Sequence, residues 1–215
     1  MNSNSKTPFR WPARHRIGHA VRAAALALAA GVMAASCSPQ SATGADAPLA
    51  GADIGGPFAL TSEAGKTVTW EDFRGKYAVI YFGYAYCPDV CPTDMQRTAQ
   101  GLKLLEERAP DKAERIMAAF ITVDPERDTP EVVGEFTSAF SDDLIGLTGS
   151  PEAVKQAADA FRVYYKKGEP TPGGGYLVDH TNIVYLFDPA GEPLAMLPTS
   201  DGPQAVADEL AKWVN

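Results

Sequence analysis

The spacing of apolar positions changes repeatedly along the chain, and the changes mark out alternating strands and helices. Phe58 to Leu60 and Thr67 to Trp70 read as a short hairpin. Tyr77 to Tyr84 is a continuous apolar and aromatic run, as a strand buried on both faces requires. Thr93 to Arg108 carries apolar residues at Met95, Leu102 and Leu105, with Pro92 at a favourable helix start. Ile116 to Val123 is a second buried strand, and Thr129-Pro130-Glu131 opens a helix to about Phe140 with Thr129 as its cap. Leu144 to Leu147 predicts a short strand and Pro151 to Phe161 a helix. Asn182 to Phe187 and Leu194 to Leu197 form a hairpin across Asp188-Pro189-Ala190-Gly191, and Pro203 to Val214 is a closing helix. A βαβ unit followed by a hairpin and a helix predicts a thioredoxin-like α/β fold: a central mixed β-sheet flanked by helices, with an N-terminal β-hairpin.

The N-terminus follows a different pattern. Lys6, Arg10, Arg14, Arg16 and Arg22 occur without an acid, and Ala23 to Ser36 is an uncharged, alanine-rich run ending in small residues. That run would reach only about 21 Å as a helix, against about 30 Å of hydrocarbon. Residues 1–36 therefore read as an export segment rather than a membrane span. Ala34-Ala35-Ser36-Cys37 is similar to a lipoprotein cleavage box, which makes Cys37 a candidate for lipidation, although Ala34 stands where a larger aliphatic residue is usual. Ordinary secretion or an uncleaved anchor are the alternatives, and each places the domain outside the cytoplasm, in a periplasmic or comparable compartment.

Residues 37–51 are mostly Ser, Ala, Gly and Pro and read as a flexible tether, leaving 52–215 as one domain. The formal net charge is −8, and setting aside the five export-segment cations leaves −13. Such a balance argues against nucleic acid or anionic lipid as a partner. A cationic metal donor or a basic protein surface suits it better.

Beyond Cys37 the chain keeps two cysteines, Cys87 and Cys91, and one histidine, His180. Two thiolates and an imidazole make a soft three-coordinate set, which suits copper better than a hard cation. Cys87 falls in the loop after the Tyr77 to Tyr84 strand, and Cys91 at the mouth of the next helix, where free N–H groups and the dipole favour a thiolate. A helical turn beginning at Pro88 would put both sulfurs on one face. His180 precedes a strand expected beside the first one, so the two can meet across the end of the sheet. Asp179 is a candidate for the second ring nitrogen of His180. The plainer alternatives are a structural disulfide between Cys87 and Cys91 and a surface or core role for His180. Asp124, Glu126, Arg127 and Asp128 sit at the carboxyl end of a strand, where sites gather in open α/β sheets; they can cap and brace the turn or dock a partner. Asp89 could tune thiolate charge or face a partner, and Tyr84 and Tyr86 would shield the loop.

Four segments together carry a resemblance: Tyr81-Phe82-Gly83-Tyr84-Ala85-Tyr86-Cys87-Pro88-Asp89-Val90-Cys91-Pro92, Val123-Asp124-Pro125-Glu126-Arg127-Asp128-Thr129-Pro130-Glu131, Val178-Asp179-His180-Thr181, and Tyr185-Leu186-Phe187-Asp188-Pro189. In this order the chain resembles the SCO/SenC family of copper proteins from about Phe58 onward. The resemblance implies one copper ion per chain, as Cu(I) or Cu(II), on Cys87, Cys91 and His180. It also implies a thioredoxin-like domain on a membrane anchor that delivers copper to the binuclear copper site of cytochrome c oxidase. Further partners would be an upstream periplasmic copper donor and a thioredoxin-like reductant. Many members have a clear transmembrane helix where this chain has a shorter segment. The same thiols suit a different class, a thiol-disulfide oxidoreductase cycling a Cys87–Cys91 disulfide to reduce a target's cysteines, and less well a thiol peroxidase. His180 separates these readings, because dithiol exchange does not need it.

Overall fold

The computed structural model describes residues 46–172 and 174–215. The expected export segment and Cys37 lie outside the described residues. The packed domain begins inside the expected tether: Ala47 is buried, and the Leu49 N–H donates to the Leu194 carbonyl at 3.0 Å. Enough apolar side chain lies among the small residues of this stretch to pack it onto the body.

Among the described residues, seven strands form one mixed sheet in the order β2-β1-β5-β4-β3-β8-β9. They are β1 (Ala59–Ser62), β2 (Thr67–Thr69), β3 (Tyr77–Gly83), β4 (Ile116–Thr122), β5 (Leu144–Thr148), β8 (Val184–Phe187) and β9 (Pro193–Met196). Strand β3 is central, parallel to β4 and antiparallel to β8, and all seven of its residues are buried, as its unbroken apolar run requires. The expected second strand of the first hairpin stops at Thr69, where a capping box between Thr69 and Asp72 turns Trp70–Phe73 into a 3-10 helix.

One face of the sheet carries α1 (Val90–Arg108) and α5 (Pro203–Trp213), together with α3 (Pro130–Ser138), whose Phe136 ring lies 4.7 Å from that of Phe120. A single-turn helix, α2 (Pro110–Ala113), follows α1. The other face carries α4 (Pro151–Ala160) and an aromatic cluster in which Phe161 meets Phe58, Trp70, Phe82 and Phe187 at 5.2 to 6.0 Å between centroids. Such tilted and edge-on pairs add attraction beyond the area they bury. Thr129 and Ser150 cap α3 and α4 by accepting from the N–H groups of Val132 and Ala153.

Two elements depart from the sequence reading. Helix α1 begins at Val90 rather than Thr93, so Cys91 lies in its first turn and Pro92 is its third residue, where no intrahelical N–H is needed. A second, two-stranded sheet of β6 (Tyr165–Pro170) and β7 (Tyr176–His180) stands where no strand was expected. His180 is thus the last residue of β7, and the strand beside β3 starts only at Val184.

Helices α1 and α5 approach closely at Gly101, where an added Cβ would stand 2.5 Å from Val206 Cγ1 and 3.1 Å from the Pro203 carbonyl oxygen. Replacing a helix-interior glycine by alanine ordinarily stabilises by about 1 kcal/mol. Overpacking costs about 1 to 3 kcal/mol and dominates here. Gly101→Ala is expected to lower unfolding free energy in urea titration; an increase would show that the two helices separate freely.

Candidate metal centre

Strand β3 ends at Gly83, and the chain leaves the sheet through Tyr84-Ala85-Tyr86 to Cys87, whose N–H donates to the Tyr84 carbonyl at 3.1 Å. The loop is tied from below. The Ala85 N–H donates to Asp128 Oδ2 at 2.8 Å, and the Thr122 hydroxyl donates to the same oxygen at 2.6 Å. Gly83 leaves room for the second cysteine, since a Cβ there would lie 3.0 Å from Cys91 Sγ and 2.9 Å from the Tyr81 ring.

Both cysteines are free thiols. Cys91 is completely buried, whereas Cys87 keeps 9% of its surface exposed. The Cys91 N–H, free at the helix start, donates to Cys87 Sγ at 3.4 Å. From across the end of the sheet, His180 brings Nε2 to 3.2 Å from Cys91 Sγ. Its Nδ1–H donates to the Thr181 carbonyl at 3.0 Å, which leaves Nε2 as the nitrogen with a free lone pair. Tyr81 and Tyr84 hold the imidazole edge-on at 6.2 and 5.8 Å. The two sulfurs and the imidazole nitrogen all lie within 4.8 Å of one another, close enough to hold one metal ion. A donor set without oxygen fits a soft ion such as copper.

The two thiols are electrically unequal. The hydrogen bond from the Cys91 thiol draws the Cys87 thiol down to about 3, against the effect of burial and aided by the N–H groups of Asp89 and Cys91. The same hydrogen bond, together with burial, pushes the Cys91 thiol well above its ordinary value. Burial raises the Tyr81 hydroxyl too, with the charge of Cys91 adding to it. One thiolate is therefore shared by the pair, sitting mainly on the sulfur nearer solvent.

The acidic residues divide. Asp179 is exposed and lies opposite Lys166 in the β6–β7 ladder, so the Thr181 carbonyl and not Asp179 takes the ring N–H of His180. Neighbouring residues of a strand point to opposite faces. Asp128 is wholly buried and out of reach of a docking partner, and its role is to pin the cysteine loop. Burial raises the Asp128 carboxyl, opposed by the bonds from Thr122 and Ala85. Asp124 is nearly buried and pairs with Arg127, whose guanidinium reaches among Tyr84, Tyr86 and Tyr176. Asp89 is exposed beside the cysteines and borders a cleft of about 330 Å³ shared with Val90, Asp94, Ile183 and Met196. A larger cavity of about 540 Å³, between α1 and the segment from Phe140 to Ile145, contains none of these residues.

The SCO1/SenC family model matches residues 46–215. The chain belongs to the SCO1/SenC family. Protein SenC of Rhodobacter capsulatus is 44% identical over 169 residues, covering 77% of this chain and 73% of that protein. The mitochondrial SCO1 homologue of Homo sapiens is 43% identical over 141 residues, covering 65% of this chain but only 46% of that protein. Among solved structures, Bradyrhizobium japonicum ScoI with copper bound is 39% identical, with a TM-score of 0.68 over 74% of this chain and 99% of that one. A SCO1/SenC family lipoprotein from Bacillus anthracis is 26% identical, with a TM-score of 0.61 over 76% and 95%. The thioredoxin-like fold expected from the sequence is the fold of these SCO1/SenC relatives.

Because the Cys87 thiolate is drawn far below its ordinary value, it stays charged from about pH 5 to about pH 8. Its alkylation by iodoacetamide in the reduced, metal-free protein is expected to stay nearly flat over that interval. An ordinary thiol slows about tenfold per pH unit below its pKa, and such a slope would show that the pair holds no shared thiolate.

Proposed function

We propose that the protein is a copper metallochaperone that carries one copper ion on Cys87, Cys91 and His180 and passes it to the binuclear copper site of cytochrome c oxidase during assembly. The observation that carries this reading is the convergence of two sulfurs and one imidazole nitrogen within 4.8 Å in a chain of the SCO1/SenC family. Two thiolates favour Cu(I), and the imidazole adds the nitrogen that Cu(II) requires. An incoming cysteine can replace these donors one at a time, so the ion passes without being released to water. Its partners would be the copper-bearing subunit of the oxidase, an upstream copper donor and a thioredoxin-like reductant. The export segment and Cys37 support a membrane-anchored lipoprotein outside the cytoplasm, and among the described residues no helix is long and apolar enough to cross a membrane.

A second reading, a thiol-disulfide reductant acting on the target's cysteines, is favoured by one feature: a low-pKa, partly exposed Cys87 backed by a buried Cys91. Only the copper reading gives His180 a task.

The discriminating experiment titrates the reduced full chain with copper, comparing wild type with His180→Ala. One ion per chain and a thiolate-to-Cu(II) absorption band are expected for wild type. Loss of His180 should weaken Cu(II) binding by at least about tenfold and alter the band. Binding indifferent to His180, or no stoichiometric copper, would turn the reading to the dithiol reductant.

A further inference from the structure

The two halves of the centre are held in different ways. Cys87 and Cys91 are fastened to the seven-stranded sheet through β3, Asp128 and the start of α1. His180 ends a hairpin with a ladder of its own, in which Tyr165 faces His180 and Pro170 faces Tyr176, and among the described residues neither strand pairs with the larger sheet. An isolated two-stranded hairpin is marginal in water. Side chains must therefore hold it against the body, and most of β6 is exposed.

The holding contacts converge on Tyr176. It lies on the same face of β7 as Val178 and His180, since side chains alternate along a strand. Two cations lie over its ring, the Arg127 guanidinium at 3.7 Å from the centroid and the Lys167 ammonium at 4.0 Å. Its hydroxyl donates to Asp124 Oδ1 at 2.7 Å, while Arg127 Nε donates to the other oxygen of the same carboxylate. Lys167, on β6, pairs with Glu126, so both strands of the hairpin are tied to the Asp124–Asp128 turn. Arg127 continues to the cysteine loop, 5.8 Å from the Tyr84 ring, and that ring meets His180 edge-on. Stacked cations and charge-assisted hydrogen bonds are the stronger kinds of polar contact.

We propose that Asp124, Arg127 and Tyr176 form a latch that positions His180 over the cysteine pair. They are positioning residues and touch no metal. The consequence for copper rests on the metallochaperone reading; the placement of His180 does not. With the latch open the two sulfurs stay in place and still hold Cu(I), whereas Cu(II) loses its nitrogen donor. The latch therefore acts on the two oxidation states unequally.

The test uses the full chain as wild type, Tyr176→Ala and Tyr176→Phe, with Lys212→Ala as a control that breaks the Lys212–Glu209 pair at the end of α5, where the chain meets Tyr77 at the start of β3. In the metal-free protein, Tyr176→Ala is expected to accelerate amide exchange at Val178 and Thr181 about tenfold, while the melting temperature stays near that of the control. With copper, its Cu(II) affinity should fall about tenfold with loss of the charge-transfer band, and its Cu(I) affinity should change less than about threefold. Tyr176→Phe, which keeps the stacked cations, should recover most of both. Unchanged exchange and an unchanged band in Tyr176→Ala would overturn the latch. So would equal losses of Cu(I), Cu(II) and thermal stability. Should Tyr176→Ala fail to fold, Arg127→Gln is read by the same measurements. If wild type takes no copper, the metallochaperone reading falls, and the exchange rates alone decide the latch.

Discussion

The carboxylate of Asp128 is fully buried, and the cysteine loop hangs from it. Taking a charge out of water costs several kcal/mol, which hydrogen-bond donors offset in part. Here both donors meet Oδ2, the Thr122 hydroxyl at the end of β4 and the Ala85 N–H of the loop, and buried Oδ1 has no hydrogen-bond partner, while the Thr148 hydroxyl on β5 holds the Asp128 carbonyl at 2.7 Å. A single residue thus joins the ends of three neighbouring strands. It sets where the chain turns from β3 toward α1, and so where both sulfurs stand. The missing side chain of Gly83 completes this constraint, because Cys91 fills the space that a Cβ would take.

From that arrangement follows the inequality of the two thiols. The helix start points its free N–H at Cys87 while its first turn buries Cys91, so one sulfur becomes an anion near solvent and the other a donor behind it. The same asymmetry serves ligand exchange and disulfide chemistry equally well, which is why the cysteines alone do not distinguish a metal carrier from a reductant. The imidazole is the group that the two readings use differently. Its Nδ1–H is committed to the Thr181 carbonyl, and the remaining nitrogen has no better use than to face the sulfur pair.

The buried frame was legible in the sequence because its two central strands, β3 and β4, are almost continuously apolar. Tyr77–Gly83 and Ile116–Thr122 sit within a residue of their expected limits, and the Thr129 cap is where its spacing put it. Hairpin β6–β7 was not legible. Lys166, Lys167 and Glu169 break any two-residue alternation, and the intervening Pro170, Pro172 and glycines read as loop. The short apolar run Tyr176-Leu177-Val178, bounded by glycines on one side, was the signal available. Missing it moved His180 from the end of one strand to the approach of the next, and made Asp179 look like a neighbour of the imidazole when the pleat turns it away. Tyr176, the residue on which the hairpin's contacts converge, lay in the same unread segment.

Among the described residues β6 and β7 share no ladder with the main sheet, so the hairpin can open locally without unfolding the body. The free energy that separates the folded body from the unfolded chain is set by the aromatic cluster and the helices packed on β3. With the proposed latch, local opening at His180 depends instead on the contacts of Tyr176 and on the burial of Val178. These two quantities can drift apart under mutation, so a variant with an undisturbed denaturation curve can still have lost the placement of His180 over the cysteines. Bulk stability is therefore a poor guide to whether this protein is competent.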